Sequence, residues 1–86
     1  MQQFTYTIQG PLGIHARPAG MLANTAKPFT DTIITIAKGD KSAKMTQLMR
    51  LLGLGVKNGD TVTVTADGPQ EAEALAAIKA FFEKNL

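Results

Sequence analysis

This chain of 86 residues has no cysteine and a single histidine. The first absence rules out disulfides, a thiolate nucleophile and a zinc–thiolate site, and it fits a reducing cytosol. Charge of one sign is scarce too. Nine basic and seven acidic side chains leave a formal net charge of +2, a surplus too small and scattered to argue for nucleic acid. No run of about 18 apolar residues occurs, so neither a membrane span nor direct membrane contact is expected. The opening MQQFTYTIQG alternates apolar and polar residues and lacks the basic-then-apolar order of an export signal. A soluble, cytoplasmic protein is expected. There is no second histidine, no paired carboxylate and no Ser-His-Asp set, which leaves an acid–base enzyme little to work with. The four aspartates and three glutamates fall in turns or on helix faces, where their default role is solubility. No metal or cofactor is implied.

What is present suffices for one domain, residues 1–86. Hydrophobic residues make up 44% of the chain, and a domain of this size buries roughly two-thirds of its unfolded surface. Phe4, Tyr6 and Ile8 alternate with Thr5 and Thr7, the pattern of a half-buried strand. Gly10, Pro11 and Gly13 break it into a loop. Ala19, Leu22, Ala23 and Ala26 then form one buried helical stripe. Pro18 suits the first turn of that helix, where a missing N–H is no loss, and Pro28 stops it. Ile34 and Ile36 face inward on a second strand. Gly39-Asp40 turns the chain into a third, with Ala43 and Met45 inward, so 33–45 reads as a hairpin.

In TQLMRLLGLG, five apolar side chains (Leu48, Met49, Leu51, Leu52 and Leu54) crowd about one and a half helical turns. They go around most of the circumference. One face can enter the core and the rest must sit at the surface, a feature that marks docking sites. Lys57-Asn58-Gly59-Asp60 is a turn, and Val62, Val64 and Ala66 point inward on a fourth strand. Asp67-Gly68-Pro69 opens the last helix, with Pro69 near its first position and Ala74, Leu75, Ile78, Phe81 and Phe82 as its buried stripe. The order β-α-β-β-α-β-α, with half-polar strands, implies an α+β two-layer sandwich: an antiparallel sheet with helices on one face.

The histidine stands in GPLGIHARPAGM, just before the predicted helix. The first N–H groups of a helix lack internal partners, and the macrodipole places partial positive charge there. That field disfavours a protonated imidazole by about 0.3–1 kcal/mol, so a ring nitrogen of His15 keeps its lone pair. A phosphoryl group attached to that nitrogen would meet the N–H groups of Ala16 and Arg17 and the Arg17 guanidinium, with Gly13 letting the loop backbone come close. Taken one by one, the same residues have commoner roles: a lone histidine at a helix start as a cap or surface group, Arg17 as a solvated charge, Leu48 and Met49 as core.

Along its whole length the chain resembles the histidine-containing phosphocarrier family, HPr, of the bacterial phosphoenolpyruvate:sugar phosphotransferase system. The resemblance lies in LGIHARPAG, which is similar to the family's active loop and first helix, and in LLGLGVKNGDTVTVTADGPQEAEAL, similar to its second-helix exit, fourth strand and third-helix entry. It implies an open-faced β-sandwich of four antiparallel strands with three helices on one side. It implies a stoichiometric carrier rather than a turnover enzyme. His15 would receive a phosphoryl group on Nδ1 from enzyme I and pass it to IIA domains of sugar permeases, with Arg17 contacting the group. Leu48, Met49 and Leu52 resemble the exposed contact positions of the second helix and Arg50 the basic one, while Leu51 and Leu54 would be buried. Gly20, Met21, Asn24 and Lys27 share the helix side of Arg17 and should border the docking surface. A monomer is expected. The chain departs from the family at a serine that kinases modify in some bacteria: that position falls on Gln47, which has no hydroxyl, with Thr46 beside it. Two other classes of function stand beside it: a non-transporting regulatory or nitrogen-branch HPr-like binding module, and a structural or ligand-binding α+β domain alike only in fold.

Overall fold

The computed structural model describes residues 1–10, 13–14 and 16–86. Its elements are β1 (Gln2–Thr7), α1 (Ala16–Ala26), β2 (Ile33–Lys38), β3 (Lys41–Lys44), α2 (Leu48–Gly53), β4 (Thr61–Asp67) and α3 (Glu71–Asn85), the order the alternating patterns imply. The four strands form one antiparallel sheet in the order β1-β4-β2-β3.

Register explains the sidedness. Phe4, Val64, Ile36 and Ala43 are paired across all four strands as one row of inward side chains. Ala66 pairs with Ile34, and Tyr6 with Val62, to extend that face. The next residue along each strand points the other way, so Thr5, Thr63, Ala37 and Ser42 form a row on the open face. Each helix adds buried residues to the same core: Pro18, Ala19, Leu22 and Ala26 from α1, Leu51 from α2, and Ala74, Leu75, Ile78 and Phe82 from α3. Phe82 is fully buried and takes the edges of Phe4 and Tyr6 at ring separations of 5.8 and 5.3 Å. The Tyr6 hydroxyl donates to the Phe82 carbonyl oxygen at 3.2 Å, so its polar tip is satisfied beside the core.

Three expectations need adjustment. Pro69 does not open α3: the helix begins at Glu71 with Gln70 as its N-cap residue. The reason lies in the preceding turn. Gly68 has φ +151° and crosses so close to the chain entering β2 that an added Cβ would lie 2.7 Å from the Thr32 Cα, and the Gln70 N–H is taken by the Thr32 hydroxyl at 3.0 Å. Phe81 is half-buried instead of buried, because its neighbour Phe82 holds the core-facing direction of α3. Ala23 is likewise half-buried, at the margin of the α1 stripe.

Candidate functional site

The loop after β1 is held on a second loop, residues 54–60. Gly13 has φ +64° and is buried; an added Cβ there would run into the Val56 carbonyl oxygen and lie 2.6 Å from the Lys57 Cα. Its close approach is therefore to Val56 and Lys57, a tertiary role beyond the loop freedom expected of it. Ile14 follows with its side chain 5% exposed and its N–H donated to the Val56 carbonyl oxygen at 3.0 Å. His15 lies outside the described residues. Its chain neighbours Ile14 and Ala16 are described, and Ala16 and Arg17 are the first two residues of α1, both exposed. Their N–H groups belong to the four that open a helix without an intrahelical acceptor.

Among the described residues Arg17 makes no ion pair. It borders a shallow depression lined also by Pro18, Met21, Phe81 and Asn85. Periodicity assigns Phe81 to the core stripe of α3 and does not single out Asn85, so both are additions to the site. The signal was there in part: two adjacent phenylalanines on a helix point about 100° apart, so one of the pair must leave the core.

Down the same side of α1 stand Gly20, half-buried, and Met21, Asn24 and Lys27, all exposed. Around Gly20 a Cβ would meet nothing within 4 Å, so the fold itself does not require glycine there. The neighbouring helix α2 exposes Leu48, Met49 and Arg50, with Met49 78% exposed, and it buries Leu51. Leu54, just past it, is buried as expected. Leu52 differs from expectation: it is half-buried and packs against the core, so the apolar patch of α2 is centred on Leu48 and Met49. Gln47 occupies the N-cap position of α2 and makes no side-chain cap bond.

A second charged group stands just before β4. Asp60 accepts a hydrogen bond from Lys38 and another from the Lys57 N–H, which hold its carboxyl below the ordinary carboxylate value.

The family model for the HPr component phosphorylation site of the phosphotransferase system matches residues 2–84. Phosphocarrier protein HPr of Mycoplasma genitalium is 42% identical over 85 residues, which are 99% of this chain and 97% of that protein. The crystal structure of HPr from Thermoanaerobacter tengcongensis superposes with a TM-score of 0.92 at 33% identity, over 98% of this chain and 93% of that one. A crystal structure of an HPr dimer from the same organism superposes with a TM-score of 0.77 at 33% identity, over 98% and 95% of the two chains. An open-faced sandwich with this family signature over nearly every residue is a phosphocarrier domain. The chain belongs to the HPr family, the small phosphocarrier component of the phosphotransferase system. Among the described residues no helix is long and apolar enough to cross a membrane.

Proposed function

We propose that His15 accepts a phosphoryl group from enzyme I and passes it to IIA proteins or domains, as a cytoplasmic monomeric carrier that is regenerated rather than turning over a substrate. The observation that carries this reading is the surface around the start of α1 in a chain of this family. An exposed Arg17 without a carboxylate partner among the described residues borders a depression shared with Met21 of α1, and α2, which packs on α1, exposes Leu48 and Met49. In the transfer, the lone pair of Nδ1 attacks phosphorus, a P–N bond forms, and the bond from phosphorus to the donor breaks. The negative charge carried over is met by the Arg17 guanidinium and the N–H groups of Ala16 and Arg17. These stabilise the loaded state moderately, as a group that must be surrendered again requires. Met21, Leu48 and Met49 supply the apolar contact to each partner, with Leu52 at its margin. Lys27 and Arg50 supply positive charge at its rim, and Gly20 and Asn24 leave room between.

The test is incubation with purified enzyme I and phosphoenolpyruvate. One acid-labile, base-stable phosphate per chain is expected, with none on His15→Ala. Label retained by that variant would refute the assignment. Light scattering of the purified chain should give the mass of one copy; a dimer would correct the monomer.

A further inference from the structure

Lys38, the last residue of β2, uses one ammonium group on two partners. It donates to the Gly55 carbonyl oxygen at 2.9 Å and pairs with Asp60 Oδ2 at 2.9 Å. Asp60 Oδ2 also accepts the Lys57 N–H at 2.8 Å. A single cation thus ties both ends of segment 55–60 to the sheet.

The other side of that segment carries the loop leading to His15. Ile14 donates to Val56 at 3.0 Å, and Gly13 is seated against Val56 and Lys57. On the incoming side, Ile8 donates to the Asp60 carbonyl at 2.9 Å, Gly59 to the Ile8 carbonyl at 2.8 Å, and the Asn58 side chain to the Gln9 carbonyl at 3.0 Å. The chain is therefore bonded to 55–60 both before and after its turn.

Two adjacent carbonyls connect these sides: that of Gly55 faces Lys38 and that of Val56 faces Ile14. Gly55 has φ +64°, and nothing stands within 4 Å of where its Cβ would be. The peptide that joins Gly55 to Val56 is held from two sides, by the bond from Lys38 and by the Val56 side chain buried in the core. We propose that Lys38 and Asp60 are positioning residues for phosphoryl transfer: through Gly55 and Val56 they hold Ile14, and with it the chain at His15. This rests on His15 being the acceptor. Both side chains are about one-third exposed, at 32% and 31%, and exposed pairs add little to overall stability. The consequence should be local.

The experiment compares Lys38→Met, Asp60→Asn and Lys38→Arg with the unaltered protein. Two quantities are read: the rate of phosphoryl uptake as enzyme I is varied, and amide hydrogen exchange by NMR. In Lys38→Met the maximal rate should fall roughly tenfold, with KM for enzyme I unchanged, because the docking face is untouched. Exchange at the Ile14 amide should quicken roughly tenfold while Ile36 and Val64 in the sheet keep their protection. Asp60→Asn, which preserves shape, should do the same in weaker form and serves if Lys38→Met does not fold. Lys38→Arg, able to reach two acceptors, should restore both. An unchanged Ile14 amide, an unchanged maximal rate, or equal loss of protection across the sheet would overturn the proposal. If the unaltered protein takes up no phosphate, the carrier reading falls, and selective exchange at Ile14 alone then decides whether the clamp exists.

Discussion

Arg17 shows most directly how one side chain can matter to chemistry without mattering to the fold. It is exposed at the head of α1 and has no ion-pair partner among the described residues. Arg17→Glu should therefore shift unfolding by no more than about 0.5 kcal/mol. Phosphoryl transfer from enzyme I should slow by roughly 100-fold, since a cation facing developing charge is replaced by an anion. Urea unfolding and single-turnover phosphorylation check the two halves; a variant that unfolds would make Arg17 structural. Gly13 teaches a complementary lesson. Its position two residues before a histidine suggests room for a ligand, yet the room is taken by Val56 and Lys57. A glycine in a sequence announces close approach and is silent about what approaches.

Between helices the contrast is in how apolar residues are shared. On α1, small residues at helical spacing make a clean stripe, and the opposite side is free for Met21, Asn24 and Lys27. Gly20 sits on that free side in open space. Gly20→Ala should stabilise the protein by about 0.5–1 kcal/mol through helix propensity alone, measured by urea unfolding; a loss of stability would mean the position is more crowded than the structure has it. On α2, four of six residues are large and apolar, Leu48, Met49, Leu51 and Leu52. The family resemblance implies that Leu51 is core, and it is buried, while Met49 is 78% exposed. Leu52 was not separable, because in so short a helix its exposure depends on what packs beside it. Met49→Asp should leave unfolding within about 0.5 kcal/mol of the parent and weaken enzyme I binding by roughly tenfold, the scale of a single contact residue at an interface. Calorimetry reads the affinity, and loss of folding would place Met49 in the core.

For the molecule as a whole, stability gathers where the sheet meets α3. Phe82 is fully buried and touches the rings of Phe4 and Tyr6 from β1. Phe82→Ala should cost about 3–5 kcal/mol, the lost transfer free energy plus the cavity left behind. That is a large part of the roughly 5–15 kcal/mol that holds a domain together. Denaturant titration measures it, and a cost below about 1 kcal/mol would mean that the neighbouring rings collapse into the space.

The sequence by itself determined the order of the seven elements, most of their inward faces and the helix that follows the lone histidine. Alternation at period two and stripes at period 3.6 are local consequences of backbone geometry, and burial follows them. Only the tertiary structure decided the strand order β1-β4-β2-β3, the half-burial of Leu52 and Phe81, and the seat of Gly13 on Val56. It alone brought Lys38 to Gly55 and Asp60, 17 and 22 residues away along the chain. Periodicity says which way a side chain points; which distant group it finds there is settled when the layers close.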